Sequence, residues 1–432
     1  MPYVPADAIE VRAWGRTVGA VARDPATGFY AFEYDDEWVT SGVDLSPIVL
    51  PRREGPFLFT ELSRNTYHGL PAMLADSLPD AFGNALVNAW MADNGIAQDQ
   101  VTALDRLAYA GSRAMGALEY MPPAGEPNAE PSLVQVADLV TAARAQISGS
   151  LDDEGIHDAL NELITVGSTA GGAKAKAVIA YNPSTEQMRS GQLEAPPGYE
   201  QWLLKLDGVG DPAGHGDPLV KTQQYCRVEY AYYLMATQAG IWISPSRLLP
   251  EGPRAHFLTK RFDRGDDNER THAQTLCALG HLDFAMARTH SYASYFLVAR
   301  ELGLTPADFE QMFRRIVFNV MGANRDDHTK NFSFLLRERG SWQMAPAYDV
   351  THSIWEGEWT QNHQMSVNGR FDGITLDDLR ALADSNEVPG IEASIREVSQ
   401  AIDAWQEFAG IAGVDQETID KVAGDINDLR PR

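Results

Sequence analysis

The sequence predicts an α+β fold with an antiparallel β subdomain at the N-terminus and a mainly helical C-terminal part. Three observations predict it. Apolar and polar side chains alternate through the first 60 residues, as strands of a half-buried sheet require. From Leu74 to Trp90 the apolar spacing changes to intervals of four, the period of one helix face. Beyond about residue 270 the patterns are mostly helical, except around one charged cluster.

Taken in order, "IEVRAW", "TVGAVAR" and "FYAFEY" read as strands divided by Gly15 and by the turn residues of "DPATG". Leu74, Leu78, Phe82, Leu86 and Trp90 then paint one helix face that Pro79 interrupts. "YMPPAGEPNAEP" carries four prolines and marks a boundary near residue 125. Val134 to Ile164 is helix-like, and "VGSTAGGAKAKAVIAYN" is a glycine-rich loop flowing into an apolar run. "QWLLKLDG" reads as a strand carrying Lys205. Gln223 to Ala239 has helical spacing, with Val228, Ala231, Tyr232 and Met235 on one side, and Gly240 stops it. "HFLTKRFDR" is a further strand running into charges. The expected domains are 1–124, 132–264 and 265–432.

Composition narrows the function. At 432 residues and 44% hydrophobic content the chain needs more than one core. A formal charge of −25 repels phosphate backbones, so binding to DNA is expected only through a basic partner. The two cysteines, Cys226 and Cys277, lie far apart with no metal-ligand spacing. "MPYVPADAIEVRAWGR" has no basic start followed by an apolar run, and no stretch approaches the roughly 18 apolar residues of a membrane span. A cytoplasmic chain without a membrane partner is expected.

Chemistry concentrates at a few points. Gly167 and Gly172 have the glycine spacing of a P-loop, but Ala173 stands where the lysine must be, so the Walker reading fails. A looser cradle survives. The backbone of Ala170, Gly171, Gly172 and Ala173 can approach phosphate oxygens, with Lys174 and Lys176 adding charge. Lys205 lies among apolar neighbours, and a buried lysine is costly unless an anion meets it. Glu229, on the next helix, is the expected partner, as strand lysine and helix glutamate combine in protein kinases to hold the α and β phosphates. A solvated edge lysine is the plainer alternative.

"NRDDHTKNFSFLL" decides between these readings. In protein kinases a catalytic aspartate accepts the substrate hydroxyl proton and an asparagine five residues later holds magnesium. Asp326 and Asn331 have that separation, and Asp327 does not. "FSFLLRERGSWQMAPAYDV" then gives a strand, a turn, a strand and Asp349, where a second metal-binding aspartate is expected. His328 and Lys330 can orient the loop or meet phosphate, a structural histidine being the plainer reading. Glycine loop, strand lysine, helix glutamate, D-x-x-x-x-N and metal aspartate in this order predict a two-lobed protein-kinase-like fold using ATP and Mg2+.

"STAGGAKAKA", "WLLKLDG", "VEYAYYLMATQAGI", "FLTKRFDR", "LCALG", "NRDDHTKNFSFLL" and "APAYDVTHS" resemble consecutive blocks of the HipA-type toxin kinases. "VGAV", "FEYDDEWV", "SLPDAFGN" and "GALEYMPP" resemble their N-terminal subdomain, so the likeness spans roughly residues 9 to 370. It implies a serine/threonine protein kinase of a bacterial toxin–antitoxin pair, a HipB-like helix-turn-helix antitoxin as partner, and aminoacyl-tRNA synthetases as typical protein substrates. Carried over by motif, Asp326 is the catalytic base, Asn331 and Asp349 are magnesium ligands and Lys205 meets phosphate. The segment Lys260, Arg261 and Phe262 lines the adenine, and Thr169 or Ser168 is the self-phosphorylated loop residue. "AYDV" lacks the glycine of a DFG motif, so no DFG flip is implied.

Two rivals are carried alongside. A metal-dependent phosphohydrolase would use Asp326, Asp327, His328 and His352 or His363 as ligands. A non-catalytic pseudokinase co-repressor would have no need of the base and both metal ligands.

Overall fold

The computed structural model describes residues 3–41, 43–124, 139–140, 143, 175–191, 194–209, 224–265, 268–354 and 358–431. The chain divides into two compact units. The first is Met1–Ala213 with Lys260–Gln274 and Leu335–Gly340, and the second is Gly214–Thr259 with Thr275–Phe334 and Ser341–Arg432.

In the first unit, β1 (Ala8–Ala13), β2 (Arg16–Arg23), β3 (Tyr30–Tyr34) and β4 (Leu118–Met121) form an antiparallel sheet in the order β3-β2-β1-β4. The alternation expected of β1 is realised, since Ile9, Val11 and Ala13 are fully buried while the residues between them are not. Gly19 on β2 is required by close approach. A Cβ there would lie 2.1 Å from the Glu33 carbonyl oxygen. The apolar face expected from Leu74 to Trp90 becomes two helices. A short one covers Ala72–Ala75, the chain breaks at Pro79, and α1 (Ala81–Asp93) restarts with Asp80 as N-cap, its carboxylate accepting the Gly83 N–H at 2.7 Å. A capping box of Thr102 and Asp105 starts α2 (Ala103–Ala110), which packs on β1 and β4.

Further along the same unit, β5 (Lys176–Tyr181) lies between β6 (Met188–Ser190) and β7 (Glu200–Lys205), antiparallel to both. Every residue of β5 is buried, so both its faces are covered. The register sets Lys176 opposite Lys205.

The second unit holds a hairpin of β8 (Ser246–Glu251) and β9 (Arg254–Lys260) with α3 (Tyr225–Gln238), α4 (Tyr292–Glu301), α5 (Pro306–Met321), α6 (Leu376–Ser385), α7 (Ile391–Asp403), α8 (Trp405–Ala412) and α9 (Gln416–Leu429). The expected apolar face of α3 is its buried face: Val228, Ala231, Tyr232 and Met235 are fully buried. α8 packs against α3, and α7 against α5. α5 begins where sequence chemistry says it should, with Pro306 in its first turn behind a Thr305–Asp308 capping box. It ends at Gly322 and hands the chain directly to the charged cluster. Among the described residues no helix is long and apolar enough to cross a membrane. Cys226 and Cys277 are both buried and neither is in a disulfide.

Candidate active site

The loop after α5 is pinned at both ends by side chains whose polarity would otherwise be wasted in a buried setting. Asn324 Nδ2 donates to Asn319 Oδ1 at 2.9 Å, and the Ser353 hydroxyl donates to Asn324 Oδ1 at 3.2 Å. Farther on, Thr329 Oγ1 donates to the Leu282 carbonyl at 2.6 Å, and the Tyr348 hydroxyl to the Lys330 carbonyl at 2.7 Å. Backbone shape between these points is therefore set by side-chain hydrogen bonds rather than by a helix or a sheet.

Between the pins, adjacent aspartates have opposite environments. Asp327 has no exposed surface. Its Oδ2 accepts from the Tyr292 hydroxyl at 2.5 Å and bonds His363 Nδ1 at 2.9 Å, while its Oδ1 accepts the Gln364 N–H at 2.7 Å. Burial first, and the neighbouring carboxylate second, push the Tyr292 phenol well above its ordinary pKa, so it stays a donor. Asn319 Nδ2 completes the set by donating to the Tyr292 oxygen at 3.1 Å. Asp326 is different. Its side chain keeps 31% exposure, Trp359 Nε1 donates to its Oδ1 at 2.7 Å, and His328 Nε2 stands 3.8 Å from the same oxygen. The buried aspartate is taken up by internal hydrogen bonds, while its neighbour keeps a part-exposed carboxylate.

Asn331 and Asp349 come to one place, as D-x-x-x-x-N and the following hairpin lead one to expect. Together with Asp327 they line a cavity of about 20 Å3. Asn331 Nδ2 donates to the Asp326 carbonyl at 2.7 Å, so the amide turns its Oδ1 the other way. Asp349 sits at φ 55°, a left-handed conformation that costs a non-glycine residue about 1 kcal/mol and that aspartate tolerates better than most. An amide oxygen and a carboxylate are hard oxygen donors, the chemistry Mg2+ takes. Ser333–Leu336 and Trp342–Met344 are the two strands that bring Asp349 round.

The remaining expected residues divide by unit. His328 and Lys330 are in the loop itself: the histidine ring lies 5.4 Å from that of Phe284, and the Lys330 ammonium stands over the same ring at 4.7 Å. Glu229 is a buried residue of α3 in the second unit. In the first unit Lys205 closes β7 and is 5% exposed. Lys176, expected beside phosphate, is instead a buried residue paired with Asp80 at 3.1 Å. The reason is its place on β5, where both faces are covered and a lysine needs a carboxylate. Arg261, expected beside adenine, likewise turns into the protein. Its guanidinium makes a two-pronged contact with Asp263, at 2.9 and 2.7 Å. Lys260 pairs with Glu200 at 2.7 Å and is part-exposed, as is Phe262. Ser168, Thr169, Ala170, Gly171, Gly172, Ala173 and Lys174 lie outside the described residues.

Of the histidines named for the phosphohydrolase rival, His363 meets one of that rival's aspartates, and it does so through a hydrogen bond. His352 bonds Asp425 at 2.9 Å, and His363 bonds Asp327. Every contact named for Asp327 comes from a hydrogen-bond donor, which a cation on that carboxylate would displace. Sequence reasoning missed Tyr292 and Trp359. Nothing in their spacing marks them, because each meets the loop from more than 30 residues away.

Fold and loop together define a kinase-like α+β protein. The chain belongs to the HipA-like family: the model of the HipA-like C-terminal domain matches residues 168–406 and that of the HipA N-terminal domain residues 9–121. Two relatives from Sinorhizobium fredii are named as candidate kinases. Y4mE is 26% identical over 412 residues, covering 93% of this chain and 84% of the relative, and Y4dM is 29% identical over 208 residues, covering 43% and 48%. Among solved structures the chain resembles HipA from the Shewanella oneidensis complex of HipA, HipB and operator DNA. The TM-score is 0.68 at 18% identity, over 98% of this chain and 95% of that one, a likeness of fold.

Proposed function

We propose that the chain is an ATP- and Mg2+-dependent serine/threonine protein kinase, the toxin of a toxin–antitoxin pair, acting on a translation component such as an aminoacyl-tRNA synthetase. The observation that carries this reading is the contrast within one loop: a part-exposed Asp326 next to a buried Asp327, with Asn331 five residues on and sharing a cavity with Asp349. Asp326 takes the substrate hydroxyl proton. Asn331 and Asp349 would hold Mg2+, which when bound supplies positive charge to the β- and γ-phosphate oxygens.

Lys205 is assigned to the α and β phosphates with Glu229 as the carboxylate that serves it, and Lys260 and Phe262 to the surroundings of adenine. Lys176 and the Arg261 side chain are left out, since Asp80 and Asp263 hold them. Self-phosphorylation falls on Thr169 or Ser168, and the added negative charge beside the phosphate cradle weakens ATP binding. The acidic chain reaches DNA through a basic helix-turn-helix antitoxin of HipB type.

Phosphate transfer from labelled ATP tests the assignment. Asp326→Asn is expected to lose about 10²- to 10⁴-fold in rate while keeping its fold and most of its ATP affinity. An active Asp326→Asn protein would assign the base elsewhere.

A further inference from the structure

Three consecutive residues of the loop are each held by one short segment, residues 359–364. The Arg325 guanidinium donates to the Gln361 carbonyl. Trp359 Nε1 donates to Asp326 Oδ1 at 2.7 Å, and His363 and the Gln364 N–H hold Asp327. The Gln364 side-chain amide turns back to the Trp359 carbonyl, so the tryptophan is tied to the anchor that also ties Asp327. Its indole therefore has a defined position relative to the loop, although the intervening chain is long.

Of these contacts, the one from Trp359 bears on the carboxylate assigned as base. An indole N–H donates and cannot accept, so it holds a carboxylate oxygen without competing for a proton. Gripping Oδ1 sets the rotation of the carboxylate about its Cβ–Cγ bond. That rotation decides which lone pair meets an incoming hydroxyl, and proton transfer is steeply sensitive to such geometry. His328 Nε2, at 3.8 Å, is too far to set it by a hydrogen bond.

We propose that Trp359 is a positioning residue for phosphoryl transfer, its indole N–H fixing the Asp326 carboxylate to receive the substrate proton. In the step, the hydroxyl proton passes to Asp326, the hydroxyl oxygen bonds the γ-phosphorus of ATP, and the bond from that phosphorus to the bridging oxygen breaks to release ADP. The proposal rests on the kinase reading of Asp326.

The test uses the full chain and two readouts. Trp359→Phe keeps an aromatic ring and removes the donor, and Trp359→His restores an N–H. With labelled Mg-ATP and transfer to the chain itself, Trp359→Phe is expected to lower the maximal rate about tenfold or more, with the half-saturating ATP concentration unchanged, and Trp359→His to recover part of the loss. A maximal rate equal to wild type, a raised rate, or a loss confined to ATP affinity would each overturn the proposal. The second readout needs no activity: the Trp359 indole N–H resonance, identified by its absence in Trp359→Phe, should move in Asp326→Ala. If it does not move, the contact is wrong. If it moves but wild type transfers no phosphate, the kinase reading fails and the positioning role fails with it, while the contact stands.

Discussion

Asp263 in the first unit and Asp327 in the second both have side chains with no exposed surface, and the two solve the cost of burial differently. In the first unit Asp263 is surrounded by full charges: Arg261 makes its two-pronged contact, Arg264 Nη1 lies 2.7 Å from Oδ2, and the Gly116 N–H donates at 2.7 Å. Burial alone would raise this carboxyl, but the two guanidiniums and their hydrogen bonds outweigh it and hold the group below the ordinary carboxylate range. Burial also lowers Arg264, to about 9. In the second unit Asp327 is met by a phenol, an imidazole and a backbone N–H instead. The guanidiniums on Asp263 also donate to the Ala114 and Gly116 carbonyls, which fastens the 261–264 segment to that loop. Beside Asp326, a phenol and a backbone amide satisfy the neighbouring carboxylate without an arginine pressed against it.

The comparison breaks first at Asp263. Asp263→Ala leaves two buried guanidiniums facing each other, and urea unfolding should show a loss of about 3–5 kcal/mol. A loss below about 1 kcal/mol would mean that the cluster is already solvated, and the contrast would dissolve.

The next largest effect is one of pH, again in the first unit. His272 is fully buried, its Nε2 3.0 Å from the Leu45 carbonyl, and burial lowers it to about 4 against that backbone contact. A histidine lowered on folding contributes stability that is whole above its ordinary pKa near 6.5 and lost as pH falls through the folded value. Between pH 7 and 4 the chain should lose on the order of 2–3 kcal/mol on this account. His272→Gln should flatten that slope in a series of unfolding curves, and an unchanged slope would move the acid sensitivity elsewhere.

The smallest effect sharpens the second half of the comparison. Tyr292→Phe removes one of the donors on Asp327 and leaves the other two, so stability should fall by only about 1 kcal/mol. Phosphate transfer should fall more than stability does, because the loop bearing Asp326 loses one of its anchors. Equal stability with unchanged transfer would show that the phenol is incidental.

Much of the fold was legible because its signals are local. Ile9, Val11 and Ala13 alternate, and that alternation is what the pleat of β1 buries. Gln223 to Ala239 reads as a helix stopped by Gly240, and α3 runs from Tyr225 to Gln238 with Gly240 at φ 71°. Pro79 announced a break, but one interrupted helix and two helices joined by a cap look alike until Asp80 is seen to accept the Gly83 N–H. At the site, the five-residue spacing set Asp326 apart from Asp327 in sequence, and the two side chains differ in exposure. Lys176 and Arg261 show the opposite failure. A cation in a suggestive motif reads as a ligand for phosphate or nucleotide: the carboxylate that holds Arg261, Asp263, stands two residues on in the same motif, whereas the one that holds Lys176 is far away in the chain. Asp80 is 96 residues from Lys176.

By itself, then, the sequence determined what short-range physics controls: the strand and helix periods, the caps, the acidic surface, and the order of loop, lysine, glutamate, D-x-x-x-x-N and aspartate. Tertiary structure decided which charges are neutralised and by whom. Trp359 meets Asp326, Tyr292 and His363 meet Asp327, and Asp80 meets Lys176, all across long separations. The physical reason is that a hydrogen bond or ion pair acts over about 3 Å in space and is indifferent to distance along the chain, so only folding brings its partners together.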